Sequence, residues 1–311
     1  MEYNKSIFSN QLKEILGEDK VQMDEPMSKH TTFRIGGPAE WFVFVHKIEE
    51  LQKVTMLCKE WEVPYYVVGN GSDLLVSDTG VSGVIIRLAG DFETIEIEEI
   101  VPEGTGYICV GAGTMLSSLA LRAGKKGFTG LEFASGIPGT VGGAVFMNAG
   151  AYKSDMGYIV TEIKVLTPNL EVKTMYNKEL DFHYRTSFLQ KNRDYICLEA
   201  TIQLYKGKKE AIMNVIRDRK LRRLESQPLE YPSAGSVFRN PEGDFAGRLI
   251  EEVGYKGKQV GGAMVSTKHA NFIINVGGAT GQDIKKLITD IQEKIKKEYK
   301  IELKVEQEFV E

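Results

Sequence analysis

The sequence is poor in the residues that build disulfides and zinc sites. Its 311 residues contain only three cysteines and four histidines. Cys58, Cys109 and Cys197 lie far apart in apolar surroundings, and neither a C-x-x-C motif nor a closely spaced histidine pair occurs. We therefore expect buried free thiols in a reducing compartment, and neither a disulfide framework nor a metal site.

Long apolar runs and an excess of charge of one sign are also missing. No stretch approaches the roughly 18 apolar residues of a membrane-spanning helix. Residues 1–20 carry charges every few positions, whereas a signal peptide has an apolar core. The 39 Lys and Arg residues nearly balance the 43 Asp and Glu residues, with a net charge of −4. Because this balance gives no net positive field, we expect no nucleic acid or membrane partner. The free thiols indicate a cytoplasmic protein.

Helical and strand patterns alternate in the first part of the chain. Apolar spacing predicts a helix over 7–16, a strand over 41–45, a helix over 48–61 and a strand over 65–68. The last three indicate a β-α-β unit. Three short strands and a helix follow, over residues 84–88, 94–97, 107–110 and 115–123.

The pattern changes from strands to helices near Gly207. Strands over 162–166 and 171–175 form a predicted hairpin around Pro168 and Asn169. Beyond Gly207 a charged helix is expected, which ends before Pro228. The second region holds predicted helices over 210–225, 245–253 and 283–299, two short apolar strands, and a final strand over 301–310. The predicted class is α+β with at least two domains.

Glycine is the one residue type in excess, with 32 of 311 residues. Three glycine-rich segments, 69–73, 111–114 and 136–143, are each expected to follow a strand. Glycine permits positive φ and close approach of the backbone, and consecutive N–H groups bind anions such as a diphosphate. Two of these segments begin with Gly-x-Gly, but the third glycine of the dinucleotide-binding motif G-x-G-x-x-G is replaced by Leu74 in one and by Leu116 in the other. The sequence also lacks a P-loop motif.

The three glycine segments favour a large phosphate-bearing cofactor outside a Rossmann fold, with ordinary tight turns as the alternative. Residues 146–152 place small side chains and an amide where a flat ring system could lie against the backbone. A buried crossover of small residues is the other explanation of that stretch.

Ordered motifs of the chain resemble those of the UDP-N-acetylenolpyruvoylglucosamine reductase family. They lie at residues 31–39, 68–76, 136–152, 184–187, 234–241, 246–251 and 306–309. The resemblance extends from about residue 28 to 310 and depends on the order of the motifs rather than on any one of them. Asp73 stands where asparagine is usual, and Gln307 stands where proline is frequent.

The resemblance implies a two-lobed FAD-binding domain of the vanillyl-alcohol-oxidase type over residues 1–207, with lobes of about 1–90 and 91–207. It implies an α+β substrate-binding domain over 208–311, whose strand 301–310 returns toward the active site. The compact chain is similar to the second type of the family, which lacks a tyrosine-bearing insertion over the substrate. We expect a monomer with noncovalently bound FAD.

The resemblance further implies that NADPH reduces FAD, which then reduces UDP-N-acetylglucosamine enolpyruvate to UDP-N-acetylmuramate in peptidoglycan precursor synthesis. Hydride would pass from flavin N5 to C3 of the enolpyruvyl group. The residues implied to bind FAD are Gly69, Asn70, Gly71, Ser72, Asp73, Leu74, Gly136, Pro138, Gly139, Thr140, Gly142, Gly143, Asn148, Gly150 and Ala151.

Three residues are implied to be catalytic. Arg185 would bind the substrate carboxylate and stabilise the enolate charge that follows hydride addition. Ser236 would donate a proton to C2, because a hydroxyl held over an emerging carbanion can act as an acid. Glu308 would share a proton with the carboxylate or orient Arg185, according to its protonation state. Asn240 and Arg248 would also bind the substrate, Arg248 at its diphosphate.

Ordinary structural explanations stay open for these residues. Arg185 suits a surface ion pair, Ser236 suits a turn, and a regular strand would place Glu306 on the same face as Glu308. The basic cluster at 217–223 has acidic neighbours, which indicate a solvated helix face rather than a nucleic-acid site. For the whole chain, the alternatives are a flavin oxidase of sugars or alcohols and a flavin-binding regulator without turnover.

Overall fold

A computed structural model describes residues 4–98 and 104–311 of the protein. The described chain forms two compact units. The first unit takes the described residues of Met1–Met23, Trp41–Asn70 and Gly83–Lys220. The second takes Asp24–Glu40, Gly71–Ser82 and Leu221–Glu311. The functional division of the chain at residue 207 stays a prediction, and residues 1–3 and 99–103 of its first domain lie outside the described residues.

Helices and strands are spread along the whole described chain. The helices are α1 (Lys5–Leu16), α2 (Ile48–Glu60), α3 (Leu116–Lys125), α4 (Val141–Met147), α5 (Phe188–Lys191), α6 (Lys209–Ser226), α7 (Ala246–Glu252) and α8 (Gly281–Tyr299). The strands are β1 (Val21–Pro26), β2 (Pro38–Val45), β3 (Tyr65–Val68), β4 (Leu74–Val76), β5 (Val81–Leu88), β6 (Ile95–Glu98), β7 (Thr105–Gly111), β8 (Phe128–Thr129), β9 (Gly150–Ala151), β10 (Ser154–Asp155), β11 (Val160–Leu166), β12 (Val172–Tyr176), β13 (Ile196–Lys206), β14 (Gln259–Val260), β15 (Ala263–Val265), β16 (Ile273–Asn275) and β17 (Glu308–Val310). This content confirms the α+β class.

Two sheets contribute most of their residues to the first unit. One has the strand order β1-β2-β5-β3, in which β3 and β5 are parallel. The other has the order β12-β11-β13-β7-β6, with β8 also paired to β13. The predicted hairpin is confirmed, because β11 and β12 pair antiparallel across the turn after Leu166. The predicted β-α-β unit is confirmed as β2, α2 and β3, although β5 lies between the two strands.

The first unit encloses its own apolar core. Asn4 begins α1, where its side chain accepts two N–H groups of the first turn, as is typical of an N-cap residue. The amphipathic face of α1 then places Phe8 against Trp41, with ring centroids 4.7 Å apart. The indole N–H of Trp41 donates to Ser9 Oγ at 2.8 Å, so the buried polar atom is satisfied.

The second unit has a separate core around α8. Thr280 and Asp283 form a capping box at the start of this helix. Asp78 also accepts the N–H groups of Gly281 and Gln282, at 2.6 and 3.0 Å. The apolar face of α8, from Ile284 to Ile295, is buried in this core. Two further sheets lie here, with the strand orders β14-β15-β16 and β17-β4.

Several sequence predictions need correction. The final strand was expected over 301–310, but the structure has a strand only at Glu308–Val310, because only these residues have a parallel neighbour, β4. The third glycine segment follows a 3-10 helix, Glu132–Gly136, rather than a strand. The cysteines are free, as predicted, but Cys109 is only partly buried.

One expectation about the surface agrees with the structure. The basic residues of α6 include Arg217, Lys220 and Arg222, which are exposed on the helix. Among residues 4–98 and 104–311, no helix is long and apolar enough to cross a membrane.

Candidate functional site

The first and third glycine-rich segments are in close contact within the first unit. A Cβ atom on Gly69 would lie 2.4 Å from Thr140 Oγ1, so only glycine fits this approach. The side-chain amide of Asn70 donates to the carbonyl oxygen of Pro138 at 2.7 Å. The structure therefore brings the end of the first glycine segment against the third.

The second glycine segment joins them at the start of α4. The N–H groups of residues 141 and 142 donate to the carbonyl oxygens of Thr114 and Ala112, both at 2.8 Å. The N–H of residue 143 donates to Thr140 Oγ1 at 3.3 Å. These three N–H groups are bonded within the protein and are not available to a diphosphate. The binding of FAD by the third segment stays a prediction, with residues 141–143 excluded as N–H donors to its diphosphate.

Three of the third segment's glycines that were predicted to bind the cofactor each have a defined place in the local backbone structure. Gly136 is the last residue of the 3-10 helix. The carbonyl oxygen of Gly139 accepts the N–H of Leu116 at 3.0 Å. A Cβ on Gly142 would lie 2.9 Å from the Cβ of Ala112. Close backbone packing accounts for the glycine at residue 142.

Gly71 and Ser72, in the second unit, provide a candidate anion site. Gly71 is buried with φ +61°, and a Cβ there would lie 2.0 Å from the carbonyl oxygen of His30. The carbonyl oxygen of Gly71 accepts the N–H of Thr32. The N–H groups of Gly71 and Ser72 donate to no residue within 4–98 and 104–311. Two adjacent N–H groups without partners at a left-handed residue form an anion-binding nest, so this turn fits a diphosphate.

Asn148 ends α4 and fixes the motif that contains Arg185. Its backbone is left-handed with φ 42°, and its side chain is buried. The side-chain amide donates to the carbonyl oxygen of His183 at 2.8 Å, and its oxygen accepts the N–H of Gly157 at 2.9 Å. Asn148 therefore ties the end of α4 to the turn before Arg185.

Arg185 lies on a tight turn whose backbone is strained. His183 and Thr186 exchange two backbone hydrogen bonds of 3.0 Å across it. Arg185 has φ 52°, a conformation that costs a non-glycine residue about 1–2 kcal/mol. Its Nη2 donates to the carbonyl oxygen of Gly150 at 2.9 Å. Such strain is typical of functional sites, and the contact brings Arg185 to the predicted cofactor residues Gly150 and Ala151 of β9.

Ser236 follows a turn at Gly235 in the second unit. Gly235 has φ +73°, and a Cβ there would meet nothing within 4 Å. Ser236 pairs antiparallel with Phe272 as an isolated bridge. The carbonyl oxygen of Val237 accepts the N–H of Glu306 at 2.8 Å. The predicted proton donor is thus half-buried beside the C-terminal segment.

Glu308 lies at the start of β17. Its N–H donates to the carbonyl oxygen of Asp73 at 2.9 Å, and Glu308 pairs in register with Leu74 of β4. The second unit therefore brings three predicted groups together: the Ser236 turn, Glu308 and the turn at residues 71–74. Glu306 precedes the strand and bonds to Val237 instead, so the two glutamates do not share one strand face.

The two other predicted substrate residues have protein partners. Asn240 Oδ1 accepts the N–H of Ala246 at 3.0 Å. Arg248 is exposed and forms ion pairs with Asp244 and Glu252. The hydrogen bonds from Arg248, and then from the N–H of Phe245, lower the pKa of Asp244 to about 2. The Arg248 charge is thus partly balanced before any diphosphate arrives.

Two buried amides at this site were not assigned a role from sequence. Asn271 bonds to both backbone groups of Phe238, at 3.0 and 2.8 Å. Gln307 donates to the carbonyl oxygen of Ala234 at 3.2 Å. The sequence marks Gln307 only as a residue that replaces a frequent proline, and no pattern in the sequence indicates a role for Asn271.

Known proteins provide an independent comparison. Residues 227–310 match the family described as UDP-N-acetylenolpyruvoylglucosamine reductase, C-terminal domain, and residues 39–176 match a FAD binding domain. A UDP-N-acetylenolpyruvoylglucosamine reductase from Clostridium botulinum is 44% identical over 96% of this chain and 95% of its own. One from Bacillus velezensis is 43% identical over 94% of each chain.

A solved structure is similar over nearly the same length. The crystal structure of UDP-N-acetylenolpyruvylglucosamine reductase from Thermus caldophilus has a TM-score of 0.79 and 37% identity. The match covers 94% of this chain and 98% of that one. This similarity therefore includes both units.

Proposed function

This chain belongs to the UDP-N-acetylenolpyruvoylglucosamine reductase family, and on that premise we propose that it reduces UDP-N-acetylglucosamine enolpyruvate to UDP-N-acetylmuramate. The reaction supplies a peptidoglycan precursor in the cytoplasm, with NADPH as the reductant. One observation beyond family membership supports the proposal. Segment 304–308 is hydrogen-bonded both to Val237, next to Ser236, and to Asp73, in the turn that fits a diphosphate.

FAD is the cofactor that the matched domain indicates, and we assign its diphosphate to the N–H groups of Gly71 and Ser72. These groups have no partner in the described protein. The close packing of residues 69–70 against 138–140 would keep the adjoining backbone rigid. When bound, FAD would supply the redox chemistry, which is hydride transfer from NADPH to C3 of the enolpyruvyl group.

Arg185 binds the substrate carboxylate in this proposal. Hydride addition at C3 leaves negative charge at C2, and this charge spreads onto the carboxylate. The guanidinium is held in advance by its bond to Gly150, so the group needs little reorganisation when the charge develops. Its planar fork suits a carboxylate better than the ammonium of lysine does.

Ser236 donates the proton that completes the reduction at C2. The hydroxyl is a weak acid, but the basicity of the developing carbanion drives the transfer once the two groups are aligned. Glu308 polarises the carboxylate or orients the groups around it. One hydride at C3 and one proton at C2 convert the enolpyruvyl ether to a lactyl ether.

The test is an anaerobic stopped-flow study of the two half-reactions. Wild-type protein purified with FAD should bleach with NADPH and recover its flavin absorbance only when UDP-N-acetylglucosamine enolpyruvate is added. Ser236→Ala should keep the NADPH step within about twofold and slow substrate-driven recovery by about 10²–10⁴-fold, the usual contribution of a positioned acid. Ser236→Cys should recover partial activity, because a thiol can also donate a proton.

Three results would contradict this assignment. Loss of both half-reactions in Ser236→Ala would exclude serine as the specific proton donor. Fast recovery with O₂ and none with the enolpyruvyl sugar would indicate a flavin oxidase. Bound FAD that NADPH and the enolpyruvyl sugar leave unchanged would indicate a regulator.

A further inference from the structure

The turn that contains Ser236 is open on the side of Gly235, although Ala234, Val237 and Phe238 around it are buried. A Cβ at Gly235 would meet nothing within 4 Å, so no neighbouring side chain restrains this residue from that side. Gly235 also has φ +73°, and glycine has more conformational freedom than any other residue. The position of the Ser236 hydroxyl must therefore depend on how the residues around the turn are held.

Asn271 holds the turn from its C-terminal side. Its Oδ1 accepts the N–H of Phe238 at 3.0 Å, and its Nδ2 donates to the carbonyl oxygen of the same residue at 2.8 Å. The carbonyl oxygen of Asn271 accepts the N–H of Val237 at 2.9 Å. The side chain, 4% exposed, therefore satisfies both backbone groups of Phe238, as a neighbouring strand would.

Gln307 holds the turn from its N-terminal side. Its Nε2 donates to the carbonyl oxygen of Ala234, two residues before Ser236, at 3.2 Å. Gln307 is 5% exposed, and its Oε1 has no hydrogen-bond partner in the described part of the chain. Burying that oxygen is unfavourable, so the useful part of this side chain is its amide donor. Because Gln307 directly precedes Glu308, the same residue links both proposed catalytic positions.

We propose that Asn271 and Gln307 are positioning residues, which fix the Ser236 hydroxyl for proton transfer to C2. The inference rests on the proposed function. Ala234, Val237 and Phe238 are the hydrogen-bonded residues around the turn, and the two amides hold the first and the last of them. Proton transfer is sensitive to alignment, since a misplacement of about 1 Å can lower a rate by about 10²-fold.

The decisive variants are Gln307→Leu and Asn271→Asp in the full chain with FAD bound. Leucine removes the donor to Ala234, and aspartate keeps the shape of asparagine but removes the donor to Phe238. We expect reduction by NADPH to stay within about twofold, while the limiting rate of recovery with UDP-N-acetylglucosamine enolpyruvate falls at least about tenfold. The solvent deuterium isotope effect on recovery should rise, because proton transfer then limits the rate.

Gln292→Leu is the matched control, because Gln292 makes the same kind of bond elsewhere in the second unit. Its Nε2 donates to the carbonyl oxygen of Leu303 at 2.8 Å. We expect both of its half-reactions to keep wild-type rates. Recovery at the wild-type rate in both test variants, or an equal loss in the control, would overturn the positioning role. Wild-type protein that the substrate does not reoxidise would overturn the proposed function itself.

Discussion

The N–H of Glu308 donates to the carbonyl oxygen of Asp73, 2.9 Å away. This bond begins the parallel pairing of β17 with β4. It sets Glu308 beside the turn whose N–H groups at Gly71 and Ser72 have no partner in the described protein. Glu306 instead donates its N–H to Val237, so the two glutamates occupy different backbone environments and need not have interchangeable roles.

Glu308→Gln should impair substrate reduction, whereas Glu306→Gln should leave it close to wild type. The neutral amide keeps the shape of Glu308 but cannot share a proton with the substrate carboxylate. We expect the limiting rate of flavin recovery to fall about 10²–10³-fold, as when a charge-stabilising group is lost. Stopped-flow absorbance with each variant measures this rate. Similar losses in both variants would contradict the assignment of Glu308.

Gly71→Ala should destabilise the second unit and lower FAD retention. An alanine Cβ would lie 2.0 Å from the carbonyl oxygen of His30, so the backbone must shift and the N–H groups of the turn move with it. Gly243→Ala is the matched control, because Gly243 has φ +75° with nothing within 4 Å of its Cβ position. The control should lose only about 1–2 kcal/mol of unfolding free energy. Thermal unfolding and the flavin content after gel filtration measure both effects, and equal FAD retention would refute the role of Gly71.

Local patterns predicted the helices well, because their apolar faces repeat within the element itself. The helix α8 is an example, since its buried residues from Ile284 to Ile295 recur at helical spacing. The C-terminal strand was predicted too long, because its extent depends on a distant partner. Only Glu308–Val310 meet β4, and no periodicity within residues 301–310 shows that.

The sequence predicts those residues of the candidate site that belong to family motifs. The resemblance identified Arg185, Ser236 and Glu308, and the structure provides physical features consistent with each proposed role. The glycine motifs did not distinguish the N–H groups of residues 141–143, which bond within the protein, from those of residues 71–72, which do not. Contacts such as that of Asn271 with Phe238 depend on tertiary structure, so a single sequence gives no sign of them.

Cys58 and Cys197 should resist alkylation in the folded protein. Burial raises the pKa of both thiols to about 12, so at pH 8 only about one thiol in 10⁴ is the reactive thiolate. Cys109 is partly exposed and should be the thiol that iodoacetamide labels first. Mass spectrometry should find about one label per native chain and three labels after unfolding in guanidinium. Rapid labelling of Cys58 or Cys197 in native protein would contradict their burial.

His269 should stay neutral to a lower pH than an ordinary histidine. Burial, with a smaller effect from Lys256, lowers its pKa below the usual value of about 6.5. Its Nδ1 also accepts the N–H of Asn271 at 3.2 Å, and protonation at Nδ1 would break that bond.

The sign of the pH effect follows from linkage. Below about pH 6.5 the unfolded chain takes up a proton at His269 that the folded chain does not, so stability is complete above this pH and falls as the pH decreases toward the folded pKa. An NMR titration of the histidine Cε1–H signals, assigned with His269→Asn, should give a midpoint below 6.5 for His269. In His269→Asn, the free energy of unfolding measured with urea should decrease less between pH 7.5 and 5.5 than it does in the wild type. A midpoint at or above the ordinary value would show that burial does not control this group.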